Sequence, residues 1–143
     1  SVNLTDADLT NANLYWANLT AVNLGRTTLA DANLEGVVLE EGVLAGAVLQ
    51  NVWLSRADLR LVKARRAWFQ KSDLSRADLF AADLREARLT QVNLAGAHLE
   101  AADLTGADLA GADLTRARYD RRTLWPEDFN PDRRGALRVA SRG

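Results

Sequence analysis

Residues 101–114, AADLTGADLAGADL, repeat Ala-Asp-Leu at intervals of five and thereby decide the fold. The same spacing continues in both directions: of the 25 positions at every fifth residue from Leu4 to Leu124, 22 are Leu. The exceptions are Ala64, Phe69 and Tyr119. The position two residues earlier is Ala fifteen times and Val six times, and the register holds from residue 2 to residue 119 without an insertion. A repeat this long indicates one structure built from stacked units.

A period of five fits neither regular element. On an α-helix, successive Leu side chains would be rotated by roughly 140° and would form no stripe that could be buried. On a flat strand, an odd period would place successive Leu side chains on opposite faces. We therefore expect a corner in every repeat, with the small residue and the Leu pointing inward and the other three positions pointing outward. The chain then winds into a solenoid whose neighbouring coils pair at about 4.8 Å.

These repeats resemble the pentapeptide repeat family, whose consensus is A(D/N)LXX. The segments ANLYWANLT (residues 12–20) and ADLFAADLR (residues 77–85) match it almost letter for letter. The resemblance implies an all-β fold, a right-handed quadrilateral β-helix with four repeats per coil, and therefore about six coils in a rod roughly 29 Å long. On that geometry Ala64 and Phe69 lie in one coil, where a small residue compensates for a large one in a close-packed layer.

The C-terminal sequence departs from the repeat. Tyr119 replaces Leu, and the string YDRRTLWPEDFNP that it opens resembles the cap of many bacterial members of the family. We therefore divide the chain into a β-helix of residues 1–122 and a cap of residues 123–143 that ends in a frayed tail. In this cap Trp125 and Phe129 are predicted to plug the last coil, and Asn130 to N-cap a short helix whose first residue is Pro131.

The N-terminal end carries no such cap. The repeat begins at Val2, so the first coil is expected to expose strand edges and Leu side chains unless upstream residues or a partner cover them. In the family, repeats can follow another domain. The chain is therefore also interpretable as an accessory fragment of a larger multidomain protein.

Composition and side-chain inventory argue against several classes of function. The net charge is −1 and there is no Cys, so neither a global attraction to nucleic acid nor a thiolate metal site is expected. No apolar run reaches the roughly 18 residues of a membrane span, which favours a cytoplasmic location. His98 is the only His and occupies an outward position, and the stacked pairs Asp58–Asp78 and Asp83–Asp103 are interpreted as solvated carboxylates rather than a cation site. We expect no enzymatic activity, metal or cofactor.

Charge is distributed in bands along the chain. Residues 1–55 carry a net charge of −5, residues 56–76 carry +5, residues 77–117 carry −4 and residues 118–143 carry +3. Some pentapeptide repeat proteins protect DNA gyrase by mimicking DNA, which requires continuous negative potential. The basic band interrupts that continuity, so gyrase is a disfavoured partner, and the acidic bands argue equally against direct binding of nucleic acid.

Residues 36–54, GVVLEEGVLAGAVLQNVWL, lack the Asp or Asn that usually precedes Leu. That outward slot holds Val38, Val43, Val48 and Trp53. On the four-sided geometry these residues form a ring around the rod, a pattern that β-branched and aromatic strand residues also show without a functional reason.

Two groups of exposed residues are candidates for binding a partner. The first is a surface of Trp53, Trp68, Arg65 and Arg66, because aromatic residues and Arg are enriched in protein-binding hot spots. The second is the pair Tyr15 and Trp16 near the uncapped end. The sequence therefore predicts a rigid, non-catalytic module that binds an unidentified protein. A homodimer through Trp125, Phe129 and Leu137 is an alternative assembly.

Overall fold

The structure is a computed structural model that describes residues 1–141. Its named elements are strand β1 (Arg118–Tyr119), a 3-10 helix (Asp132–Arg134) and strand β2 (Leu137–Arg138). The rest of the ladder consists of single-residue parallel β-bridges that join residues 20 positions apart, as Asn3 joins Asn23, except for the last bridge, which joins Asp103 to Leu124. One coil of the chain therefore takes four five-residue repeats and has four faces.

Each corner of a coil is a tight turn. The backbone N–H of Ala12 donates to the carbonyl of Leu9 at 3.0 Å, and Asn11 between them has a φ of 63°. A four-residue turn with positive φ at its third position has the geometry of a type II turn. Most of these corner positions hold residues other than Gly, at a cost of about 1 kcal/mol each that the stacked backbone hydrogen bonds offset.

The polar residue before each inward Leu supports this turn. Its side-chain oxygen accepts the backbone N–H two residues later, as Asp8 Oδ1 does from Thr10 at 3.0 Å. Every Asn and Asp in this slot makes the same bond. Val38, Val43, Val48 and Trp53 carry no acceptor, so their four repeats forgo it.

The core is a column of inward side chains along the rod. Ala64 and Phe69 are both fully buried and belong to adjacent repeats of one coil, as the volume exchange between them predicts. Thr27 and Ser72 occupy the small inward slot, and their hydroxyls donate to the carbonyls of Leu4 and Leu49 in the preceding coil. These hydrogen bonds allow a polar group inside the rod without leaving it unpaired.

The two ends differ. Leu4, Leu9, Leu14 and Leu19 of the first coil are only partly buried, and Val2 is 62% exposed. At the other end, Trp125 packs edge-on against Tyr119 at 5.5 Å between ring centroids and stacks on Phe129 at 5.2 Å. Trp125 and Phe129 both pack against the core, so their side chains lie at the end of the last coil.

The repeat register shifts by one residue inside the cap, which corrects the extension of the inward series to Leu124. Leu124 is 52% exposed and bridges Asp103, in the outward slot, whereas Thr123 is buried and its hydroxyl donates to Leu99 at 2.8 Å. Thr123 thus fills the small inward slot that the five-residue count gives to Arg122. Ladder pairing continues past residue 122, to Leu124 and through β2, and marks no boundary there. The division of the chain after residue 122 therefore stays a prediction.

The buried carboxylate of Asp120 anchors this shifted turn. Burial raises the pKa of Asp120, but hydrogen bonds from the Arg122 side chain and from backbone N–H groups outweigh burial and lower the pKa to about 2. The N–H of Ala101 in the preceding coil donates to this carboxylate at 3.1 Å. Asp120 therefore ties the cap to the ladder.

The short helix of the cap differs in detail from the prediction. It is one turn of 3-10 helix that begins at Asp132, so Pro131 precedes it rather than opening it. Pro131 therefore takes the N-cap position predicted for Asn130, although Asn130 Oδ1 accepts the N–H groups of Asp132 at 3.0 Å and Arg133 at 3.4 Å. Within residues 1–141, no helix has the length and hydropathy that a membrane span requires.

Candidate protein-binding surface

The Val and Trp residues at the outward slot of residues 36–54 do form a ring. Val38, Val43, Val48 and Trp53 pair with the preceding coil on four successive faces. The three Val side chains are half-buried, whereas Trp53 is 57% exposed. Trp53 is therefore the member of the ring that offers a partner a large apolar contact.

Trp68 lies on the face next to Trp53, directly after Val48 in the ladder. The following residue in that column is Arg88, whose guanidinium carbon lies 4.2 Å from the centroid of the Trp68 ring. A cation at this distance from an indole face makes a cation–π contact. Trp68 is half-buried, so this arrangement presents its ring together with the Arg88 guanidinium.

Arg65 and Arg66 lie at the corner before Trp68 and share one acidic partner. Arg65 Nη2 and Arg66 Nε each lie 2.8 Å from a carboxylate oxygen of Glu86. Hydrogen bonds from Arg65 and Arg66 lower the pKa of Glu86. Arg65, Arg66 and Glu86 together therefore contribute one net positive charge to the surface, whereas the two arginines alone would contribute two.

Sequence reasoning missed Glu86 and Arg88, although the 20-residue spacing of the ladder could have found both. Arg66 plus 20 is Glu86, and Trp68 plus 20 is Arg88. Nothing in the structure tests whether Trp53, Trp68 or the two arginines contact a partner, so that assignment stays a prediction.

Tyr15 and Trp16 form the second candidate. Their rings meet edge to face with centroids 5.9 Å apart, and the residues are 54% and 55% exposed. The Trp16 ring lies over Gly36 in the next coil, where a Cβ would come within 2.5 Å of it. Gly36 therefore provides the space in which Trp16 lies along the rod.

The surroundings of His98 do not resemble a catalytic triad. His98 Nδ1 lies 3.7 Å from the buried carboxylate of Glu100, and Arg118 Nε lies 3.4 Å from the same oxygen. In this cluster the Glu100 carboxylate faces the His98 ring and the Arg118 guanidinium. The group is best described as a charged contact between adjacent coils.

The stacked carboxylates have cationic neighbours. Asp58 lies 2.6 Å from Arg60, and Asp83 lies 2.7 Å from Arg85. Hydrogen bonds from these arginines lower the pKa values of both Asp residues. In the described part of the chain, no cluster of three or more His, Cys, Asp or Glu could hold a metal ion.

The fold and surface define a β-helical repeat protein with isolated aromatic and charged groups on a regular rod. The family profile described as Pentapeptide repeats matches eight copies, over residues 1–26, 23–60, 43–79, 59–94 and 82–118. The chain belongs to the pentapeptide repeat family, whose right-handed β-helix is the fold that these ladders build. No curated protein matches it significantly.

Several solved structures are similar to this chain. The pentapeptide repeat protein alr5209 from Nostoc PCC 7120 is 36% identical, over 82% of this chain and 84% of that one, with a TM-score of 0.36. HetL, from the cyanobacterium Nostoc sp. strain PCC 7120 and involved in heterocyst differentiation regulation, is 23% identical over 98% and 86%, with a TM-score of 0.47. A trypsin-treated form of QnrB1, a plasmid-mediated fluoroquinolone resistance protein, is 16% identical over 99% and 89%, with a TM-score of 0.45.

Proposed function

We propose that this protein is a non-catalytic β-helical module of the bacterial cytoplasm, of about six coils, that binds another protein through a surface of Trp and Arg. The observation that carries the proposal is the 57% exposure of Trp53 beside the Trp68–Arg88 contact. Large aromatic groups held at fixed positions by a hydrogen-bonded ladder lose little entropy on binding. Trp and Arg are also the residues most enriched in interface hot spots.

The test is site-specific photo-crosslinking in cells of the source organism. A photoreactive phenylalanine analogue replaces Trp53 in one variant and Leu61, which is 43% exposed on the opposite side of the rod, in a matched control. We expect one discrete adduct from position 53 and none from position 61. Equal labelling at both positions, or none from 53 in folded protein, would contradict the proposal.

An alternative is protection of DNA gyrase by DNA mimicry, which the exposed Asp108 and Asp113 on adjacent faces favour. Against it stands the basic band of residues 56–76, which interrupts the negative potential a DNA-binding groove would meet. Within that band only part of the positive charge is neutralised by ion pairs such as Arg66–Glu86 and Arg60–Glu40.

A supercoiling assay separates the two proposals. Gyrase is titrated with the purified protein, with and without a quinolone, at two salt concentrations. Protection or inhibition that weakens with salt would support mimicry, because screening reduces such interactions. If micromolar protein leaves supercoiling unchanged under all four conditions, gyrase is removed as a partner and the crosslinking experiment becomes decisive.

A further inference from the structure

One edge of the rod carries arginines that lack acidic partners. Backbone hydrogen bonds stack the corner residues of this edge from coil to coil, as the N–H of Arg56 donates to Ser75 and the N–H of Arg76 donates to Ala95. Along this edge the corner residues, spaced 20 apart, are Trp16, Gly36, Arg56, Arg76, Gly96 and Arg116. We call this column the arginine edge.

The contrast with the diagonally opposite edge, whose corner residues lie ten positions away in the chain, shows that these charges are not balanced. There, Arg26 pairs with Asp6 at 2.8 Å and Arg66 pairs with Glu86 at 2.8 Å, each with the corner residue one coil away. On the arginine edge the three exposed guanidinium groups make no ion pair with any group of residues 1–141. Their charge is available to a partner.

The three arginines line one open groove of about 550 Å³. Ser55, Ser75 and Thr115 also line this groove. Gly96 has no side chain, and a Cβ at this position would lie 3.4 Å from Cγ of Arg76. The stem of Arg76 therefore lies over Gly96, in the direction of Arg116. By strand spacing, Arg56 and Arg76 start about 4.8 Å apart, and Arg76 and Arg116 about 9.6 Å apart.

We propose that the arginine edge binds an extended acidic segment of another protein. Alternate side chains of an extended strand lie about 6.6–7 Å apart, which the long arginine side chains can match along the groove. Glu35 and Asp73 also line the groove. These two carboxylates would repel a continuous phosphate backbone but leave space for carboxylates placed between them, so an acidic peptide is favoured over nucleic acid. At the N-terminal end of the column, Trp16 offers a flanking apolar residue an aromatic contact.

This inference rests on the proposed function, because it names the chemistry of a protein partner. It depends on the guanidinium groups of the arginine edge rather than on the rings of Trp53 and Trp68, although Asp73, the ladder neighbour of Trp53, also lines the groove. The probe is a fluorescein-labelled peptide of twelve residues that alternates Glu and Ser, measured by fluorescence anisotropy at about 50 mM salt. The control peptide alternates Gln and Ser. A fluorescein-labelled single-stranded oligothymidine of similar length tests nucleic acid.

The protein variants separate this edge from general charge. The edge variant carries Arg56→Gln, Arg76→Gln and Arg116→Gln, and a matched variant carries Lys63→Gln, Arg121→Gln and Arg133→Gln, which remove the same formal charge elsewhere. All six substituted residues are exposed, and circular dichroism melting checks that both variants fold. We expect the Glu peptide to bind the parent chain and to lose at least about tenfold in affinity with the edge variant, but less than about twofold with the matched variant.

Three outcomes would overturn the inference. They are equal losses in the two variants, binding of the Gln peptide as tight as that of the Glu peptide, and oligothymidine binding tighter than peptide binding through the same edge. No detectable peptide binding to the parent chain would also overturn it. Photo-crosslinking from position 53 is unaffected by any of these results, so the proposed function stands or fails separately.

Discussion

The side chains of the C-terminal coil are covered more completely than those of the N-terminal coil. A coil of stacked repeats leaves backbone groups and Leu side chains uncovered wherever the stack stops. At the C-terminal end, Trp125 and Phe129 cover the last side chains and β2 extends the ladder from β1. At the N-terminal end, the Leu side chains of the first coil are partly exposed.

The first coil carries turn bonds on all four of its faces. All four of its outward slots hold Asn or Asp, and each accepts the backbone N–H two residues later. Side-chain bonds of this kind hold the turns of residues 1–20 without help from a preceding coil. Asp103, Asp108 and Asp113 make the same turn bonds in the last coil, so the comparison teaches that the two ends differ in tertiary covering rather than in turn chemistry.

Removing the cap is expected to have the largest effect. Truncation after Arg118 should expose the inward Leu side chains of the last coil together with an unpaired strand edge, and should cause association or aggregation. Size-exclusion chromatography with light scattering measures the result. The full chain with Leu137→Ser, which alters an exposed apolar residue without uncovering the coil, is the control. A truncated chain that elutes as a soluble monomer would refute the role of the cap.

The same Leu-to-Ala change should cost different amounts along one column. Leu74 is fully buried, so Leu74→Ala should lower the free energy of unfolding by about 2–5 kcal/mol. Leu14 occupies the equivalent inward slot on the same face but is partly exposed, and Leu14→Ala should cost less than half as much. Urea denaturation measures both values. Equal costs would indicate that something covers the first coil in solution.

Acid should weaken the capped end through Asp120. Its pKa of about 2 in the folded chain lies below the ordinary Asp value of 3.8, so the ionised carboxylate stabilises the fold fully above pH 3.8, and this contribution is lost as the pH falls through 2. The full term is about 2 kcal/mol. Asp120→Asn should therefore destabilise the chain at pH 7, and the difference in free energy from the parent should shrink between pH 4 and pH 2. A difference that stays constant with pH would contradict this.

The smallest expected effect concerns the turn bonds. Asn13→Val should remove the bond to the Tyr15 N–H and cost about 0.5–1.5 kcal/mol. Val43→Asn should add the equivalent bond within the ring and stabilise the chain by up to about 1 kcal/mol. Urea midpoints of the two variants and the double variant give the comparison. If Val43→Asn is neutral or destabilising, the packing of Val43 against its ladder neighbours outweighs a new turn bond.

The inward positions were predictable because a five-residue period admits one way to bury the same slot in every repeat. Burial of Ala64 and Phe69 follows from that pattern alone. The four faces required the family resemblance, since the period does not fix how many repeats close a coil. The shift at Thr123 was not predictable, because Leu124 keeps the expected letter at the expected spacing while Asp120 and Thr123 take over the turn.

The surface was predictable in composition and only partly in arrangement. Trp68, Arg65 and Arg66 were found by residue type, but Glu86 and Arg88 required the 20-residue spacing. Partner choice among charged groups also depends on side-chain conformation. Arg85 pairs with Asp83 in its own repeat at 2.7 Å, whereas Arg65 reaches Glu86 in the next coil.

The 20-residue spacing of the bridges within the repeats also makes the surface sensitive to chain length in steps. Excising one complete coil from the middle of the repeats would shorten the rod and leave every later residue above the face it occupies now. Excising a single repeat would rotate everything downstream by a quarter turn, so that Arg116 would leave the line of Arg56 while the core pattern stayed intact. A deletion or insertion of five residues keeps the core pattern, whereas only one of twenty residues also keeps the surface columns aligned. Stability and surface alignment are thus separable properties of this chain.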